Sequence, residues 1–230
     1  MPFGDYIQSV KASTASATSL ALPAFGTNNV AGNTILVGIR TGVSGRTITV
    51  TDTAGNTYVQ DKSQVIPVSD DDVVVHRASN IVVGANTVTV SVSGAATSIR
   101  AAAAEYTGNC VLDQSPGASG TSTTPNSGSA TTTVAAELLF GVAAVANDFD
   151  FTAGASYTER EQVLQKMSIE DRVVSVTGSY SASYTLSGGG DEWSCIMCSY
   201  SESVGAGGGG AQRGLGLLLG LRRNSLVRGA

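Results

Sequence analysis

Charge is sparse in this chain: 13% of its 230 residues are Asp, Glu, Lys or Arg. Solvent-facing helices draw heavily on Glu, Lys and Arg, so the shortage disfavours a helical architecture from the outset. There is one histidine, His76, set in the strand-like run Val-Val-Val-His-Arg. Nucleophilic catalysis by a serine triad needs an imidazole, and this lone candidate reads as a satisfied or exposed strand histidine rather than as a base. The three cysteines, Cys110, Cys195 and Cys198, cannot all pair within one chain. Cys195 and Cys198 sit in an apparent strand where residues three apart face opposite ways, which argues against a zinc knuckle and a local disulfide. Buried free thiols are expected, with a bridge from Cys110 to one of the others as the alternative.

Long apolar runs are also missing. The strongly apolar segment at residues 214–221 (Gly-Leu-Gly-Leu-Leu-Leu-Gly-Leu) would span about 12 Å as a helix against a hydrocarbon core of about 30 Å. No membrane span is therefore expected. The opening Met-Pro-Phe-Gly-Asp-Tyr has neither a basic nor an apolar region of the secretory kind, so synthesis in a cytoplasm is expected. Basic residues are scarce before Gly205: four of the 13 lie after it, leaving nine against all 18 acidic residues. A body of charge −9 repels nucleic acid, which needs a basic footprint.

What is present is alternation. In residues 85–94, Val88, Val90 and Val92 point one way and Thr87, Thr89 and Ser91 the other, the pattern of a half-buried strand closed by Gly94. Residues 6–22 read as an opening strand pair ending at Pro23. Residues 33–40 form a continuous apolar run of strand length, which fits a central strand buried on both faces. Residues 47–51 and 57–60 flank the turn residues Thr53-Ala54-Gly55-Asn56 and predict a hairpin. Asp70, Asp71 and Asp72 precede a strand over 73–77 and read as solvated loop acids; three successive carboxylates splay apart and make a poor calcium loop.

The alanine run 101–104 lies between strand patterns and carries no helix cap, so it predicts a closely packed strand. Residues 115–133, rich in Ser, Thr, Gly and Pro, predict a surface loop. Residues 135–144 then echo 33–40: a polar lead, three large apolar residues, a glycine and one more apolar residue, with Gly38 and Gly141 in matching places. Mixed strands follow over 157–164 and 168–176, then an alternating strand over 179–186 and a last strand over 192–200. The expectation is an all-β chain: an antiparallel β-sandwich of the jelly-roll type over 1–203, and a Gly-rich joint with an apolar, basic C-terminal arm over 204–230.

At this point the residues carry a resemblance. Val-Thr-Asp-Thr-Ala-Gly-Asn-Thr-Tyr at 50–58, Ala-Asn-Thr-Val-Thr-Val at 85–90, Ala-Glu-Tyr-Thr-Gly at 104–108, the Ser/Thr segment and Ala-Ala-Glu-Leu-Leu-Phe-Gly at 135–141 follow one another in this order. The succession, over residues 6–201, resembles a jelly-roll domain family of phage virion accessory proteins and bacterial surface proteins. The resemblance implies a non-catalytic structural or binding domain, and it carries no catalytic residues, metal ligands or cofactor.

Candidate site residues are of three kinds. Glu159, Glu161, Glu170 and Asp171 are the carboxylates that could pair for hydrolysis, although nothing in the sequence places two of them across a cleft. Tyr180, Tyr184 and Trp193 could form a ring platform for a glycan, or fill the core or a subunit interface. In the arm, Leu215, Leu217, Leu218, Leu219 and Leu221 are a docking surface, with Arg222 and Arg223 placed to meet acidic patches on an acceptor. The leading expectation is a non-enzymatic virion structural protein, a capsid decoration or fibre component and a homo-oligomer, whose partners are capsid or tail proteins. The alternative is a carbohydrate-binding adhesin module of a bacterial surface protein or of a phage receptor-binding protein.

Overall fold

The computed structural model of the protein describes residues 2–203. The arm residues Leu215, Leu217, Leu218, Leu219, Leu221, Arg222 and Arg223 lie outside the described residues. Every regular element among residues 2–203 is a strand.

The first eight strands are β1 (Tyr6–Ala17), β2 (Ser19–Ala21), β3 (Thr34–Thr41), β4 (Ile48–Asp52), β5 (Val59–Ile66), β6 (Asp71–Ser79), β7 (Val88–Val92) and β8 (Thr97–Tyr106). They form a sheet of order β1-β8-β3-β6-β5 and a smaller one of order β2-β7-β4. The remaining strands are β9 (Cys110–Gln114), β10 (Gly117–Ser122), β11 (Ala130–Thr131), β12 (Glu137–Val145), β13 (Phe151–Ala153), β14 (Thr158–Val163), β15 (Met167–Val174), β16 (Ser179–Tyr180), β17 (Tyr184–Leu186) and β18 (Asp191–Glu202). Their large sheet runs β10-β18-β12-β15-β14, with β9 also on β18, and the pairs β11-β16 and β13-β17 lie apart from it.

The two halves have the same plan. With β9 and β10 standing in for β1, β12 for β3, β14 and β15 for β5 and β6, and β18 for β8, the large-sheet orders coincide. All the pairings are antiparallel. Register fixes the correspondence residue by residue: Leu36 lies opposite Ala104 and Arg77, while Phe140 lies opposite Cys198 and Asp171. Thus Leu36 corresponds to Phe140, Tyr106 to Tyr200, and Arg77 to Asp171. Both edge hairpins carry a bulge at the same place, Asp61 in β5 and Arg160 in β14.

Alternation then builds three cores. One face of the first large sheet (Ile35, Val37, Ile39, Ala101, Ala103) packs on Val88, Val90 and Val92 of its small sheet. The corresponding face of the second (Leu139, Ala143, Val145, Cys195, Met197) packs on Ala182, Tyr184 and Leu186. The two inner faces meet each other, and Leu36, Val75, Ala102, Ala104 and Tyr106 share a central core with Phe140, Val142, Ile169, Ile196 and Cys198. Strand β5 touches β10 and β18, and reciprocally β14 touches β1 and β8. Such reciprocity is that of an isologous, two-fold interface, here formed inside one chain.

Several expectations hold. The run 33–40 is a central strand buried along its whole length as β3, and the alanine run is a buried strand in β8. Residues 88–92 alternate as the sequence predicts. The three thiols are free and buried, with Cys195 and Cys198 in different cores.

The antiparallel sheets form the expected all-β sandwich architecture, and within residues 2–203 they fall into two units of matching plan. Other expectations are corrected. The predicted hairpin over 47–60 does not form, because β4 pairs with β7 and β5 with β6, so the turn at 53–56 carries the chain from the small sheet to the large one. Strands β1 and β2 likewise join different sheets, paired with β8 and β7. The Ser/Thr segment 115–133 holds β10 and β11; small residues suit β10, whose Gly120 lies against the ring of Trp193. Residues 179–186 form two short strands rather than one. Gly38 and Gly141 mark corresponding strands but sit one register step apart. A Cβ on Gly38 would meet Ile169 Cγ2 at 2.7 Å across the central core, while one on Gly141 would meet Glu170 Cγ at 2.8 Å on the opposite face.

Candidate functional site

The densest polar chemistry lies where the two units meet. In the first, the β5 bulge turns Asp61 towards Arg77, and the guanidinium grips the carboxylate with two bonds, Nε to Oδ2 at 3.0 Å and Nη2 to Oδ1 at 3.2 Å. In the second, the β14 bulge turns Arg160 towards Asp171 with the same two atoms at 2.7 and 2.9 Å. The pairs occupy corresponding positions with the charges exchanged. The next residues follow suit, Lys62 in the first unit and Glu161 in the second. Each pair is capped by an aromatic ring of the other unit. Tyr200 donates its hydroxyl proton to Asp61 Oδ2 at 2.9 Å, under the guanidinium of Arg77 at 5.7 Å from the ring centroid. Tyr106 lies against Asp171 and Arg160, and Arg160 also stacks 4.0 Å over Tyr6. Glu161 adds bonds to Ser9 at 2.7 Å and Lys11 at 3.0 Å.

A second pair of corresponding positions faces away from the central core: His76 on β6, opposite Val37, and Glu170 on β15, opposite Gly141. Burial lowers the proton affinity of His76, and its Nδ1 has no partner. Burial likewise pushes Glu170 up to about 8, against backbone bonds from Gly154 N and Ser183 N that favour its charged form. Both are sealed groups without access to a substrate.

The sequence-named residues distribute as follows. Glu159 lies directly across from Glu170, whereas Glu161 and Asp171 face the central core and are bonded there. The four carboxylates therefore do not converge on a cleft. Of the acid triplet, Asp71 and Asp72 are buried, a correction to the solvated reading. Asp71 pairs with the buried Arg40, and Asp72 accepts from Gly45 N at 2.9 Å.

The ring platform is not formed. Tyr184 is 2% exposed and donates to Ser168 O, and Trp193 is 8% exposed with Nε1 donating to Ser122 Oγ. Tyr180 is half-buried beneath Arg172. Their alternation reflects a shared core, because Tyr180, Ala182 and Tyr184 all face the core that the second large sheet forms with Leu139, Val145 and Met197. Burial raises the proton affinity of all three thiols, Cys110 to about 11 and Cys198 to about 12, which leaves them poor nucleophiles at neutral pH. Sequence reasoning missed Glu105, fully buried and held by Gln8, Asn29, Asn33 and Val30 N at 2.6–2.9 Å. Asn29 and Asn33 ahead of an apolar strand were the available signal.

Among the described residues no group of His, Cys, Asp and Glu could hold a metal ion, and no helix is long and apolar enough to cross a membrane. The groove between β1 and β14, lined by Lys11, Ser13, Gln162 and Leu164, has a volume of about 220 Å³. No protein-family model, curated protein or solved structure matches this chain.

Proposed function

We propose that this protein is a non-enzymatic structural component of a phage particle, a capsid decoration or fibre protein that assembles through its C-terminal arm. One observation carries the non-enzymatic part: among the described residues, Asp61, Arg77, Arg160 and Asp171 are held in ion pairs where the units meet, and His76, Glu170 and the three thiols are sealed in cores. The outer face of the small sheet is Ser19, Thr49, Thr51, Thr89 and Ser91, hydroxyl-bearing side chains that suit a displayed, solvated surface. The strand orders β1-β8-β3-β6 and β2-β7-β4, nested antiparallel connections around a two-sheet core, support the jelly-roll reading and with it the resemblance to virion accessory domains. The adhesin alternative is not carried forward, since a stacking platform needs exposed rings and Tyr184 and Trp193 are buried.

The test is sedimentation with purified particles of the encoding phage that lack this protein. Full-length protein should travel with the particles and protein truncated after Gly205 should stay in the supernatant, with the β-sheet circular dichroism of the body unchanged. Binding that survives truncation removes the arm from the reading, and absence of binding by the full-length protein removes the particle.

A further inference from the structure

Strand β9 carries a bulge of its own. It passes from Leu112, opposite Tyr200, to Gln114, opposite Ser199, and leaves Asp113 as the extra residue. Asp113 accepts from Thr133 N at 2.8 Å and from the Thr133 hydroxyl at 2.6 Å, which ties the loop before β12 to the β9 edge. Its carboxyl group also meets that of Glu137, the first residue of β12, in hydrogen-bonding contact. Glu137 is fully buried. Its Oε1 accepts from Val134 N at 3.4 Å, while its Oε2 finds no N–H or O–H donor. The Ser199 hydroxyl stands beside it and accepts from Gln114 N at 3.2 Å. Two carboxyl groups in contact inside a fold do not both ionise, so the bond between them exists only while one holds a proton.

The first unit shows the same place with a single acid. Counted from Thr34 and Leu138, Asn33 corresponds to Glu137; counted from Tyr106 and Tyr200, Glu105 corresponds to Ser199. There the buried carboxylate stands on β8 and draws on fixed donors: Asn29 Nδ2 at 2.6 Å, Asn33 Nδ2 and Gln8 Nε2 at 2.7 Å, and Val30 N at 2.9 Å. Val30 is the counterpart of Val134, so both acids take the amide four residues before the same strand position. Amide groups donate whatever the pH. In the second unit the partner of the buried acid is another acid, and none of the ion pairs among the described residues involves either one. Ser201 and Val174 stand opposite Glu137, and residues 132–136 carry no charge. On the same face β15 bears Arg172 and Glu170, opposite Leu139 and Gly141, with Arg172 held 5.4 Å from the ring centroid of Tyr180.

We propose that Asp113 and Glu137 are a proton-operated clamp, a carboxylic acid–carboxylate bond that fastens β9 and the loop 132–134 to the head of β12. Burial raises the proton affinity of Glu137, whereas in Asp113 burial is outweighed by the bonds from Thr133, so the proton resides on Glu137. The Glu137 contribution is present below the ordinary carboxyl value and is lost as pH rises through its raised one. That of Asp113 is present above the ordinary value and is lost on acidification. Past the upper limit two negative charges face each other, and Asp113, the less buried of the two, moves out with Thr133. The amide-built clamp around Glu105 holds at the same pH, so alkalinity loosens this flank of the second unit and not its counterpart. The device belongs to the free protein and does not depend on the particle reading.

Hydrogen exchange of the full-length protein at pH 5 and pH 9, corrected for the chemical exchange rate at each pH, tests it. Protection of residues 110–114 and 132–136 should fall by about tenfold at the higher pH relative to residues 29–33, which report any loss shared by the whole fold. Glu137→Gln places an amide donor against Asp113 at either pH and should keep the protection of both segments at pH 9. Asp113→Asn supplies the donor from the other side and should do the same, so either variant that folds serves for the comparison. Parent protein whose two clamps keep the same relative protection at both pH values overturns the proposal. A folded variant that loses protection at pH 9 as the parent does overturns it as well.

Discussion

At the scale of single residues, corresponding positions have taken different chemistry without a change in backbone. Position for position, His76 in one unit is Glu170 in the other, each buried on the face away from the central core. Gly141 is what makes the carboxylic acid fit, because a Cβ there would meet Glu170 Cγ at 2.8 Å and Oε1 at 3.1 Å. The folded protein binds the Glu170 proton more tightly than the unfolded chain does. Its contribution to stability is therefore complete below the ordinary carboxyl value and is lost as pH rises through about 8. Asp71, Asp72, Glu137 and Glu159, pushed up by burial, act in the same direction. His76, lowered by burial, acts in the opposite one, its contribution lost on acidification. Urea unfolding at pH 6 and pH 9 should show the parent losing stability at the higher pH, and Glu170→Gln losing distinctly less. An equal loss in the two proteins would show that Glu170 is not the group responsible.

At the scale of elements, the hairpins β5–β6 and β14–β15 are one design with its charges exchanged. Asp61→Arg alone leaves Arg77 beside a second cation in a mostly desolvated place, a change that costs about 3–5 kcal/mol. Adding Arg77→Asp rebuilds the arrangement of Arg160 and Asp171 and should restore most of that loss in a chemical-denaturation cycle. A double variant no more stable than Asp61→Arg would refute the equivalence of the two hairpins. Much of this element level was legible in the sequence. The apolar run of β3, the alternation of β7 and the alanines of β8 announced strands because each pattern is local. The charge exchange was not, because a bulge at Asp61 or Arg160 is set by pairing with a partner strand, and one chain read alone does not show register. The same cause put Gly38 and Gly141 in false register, since a one-residue slip moves a side chain to the other face. Small residues misled over 115–133, where a strand that needs room for Trp193 has the composition of a loop. Tyr184 and Trp193 alternate like a surface platform and like a core strand, and periodicity alone does not separate the two.

At the scale of the whole molecule, the central core makes the two units one thermodynamic object. Leu36, Ala104 and Tyr106 from one side and Phe140, Ile169 and Cys198 from the other would all face water if either unit opened alone. Scanning calorimetry should therefore give a single transition with matching calorimetric and van't Hoff enthalpies, and two resolved transitions would show that the units fold independently. The exchanged ion pairs have a consequence for how such a molecule can vary. In an assembly of two identical chains every substitution appears twice, so Asp61 and Arg77 could not be reversed on one side alone. Joining both units in one polypeptide lifts that constraint. Each half is free to acquire its own polarity, its own buried acid or base and its own loops, so a change that adapts one flank need not be tolerated by the other.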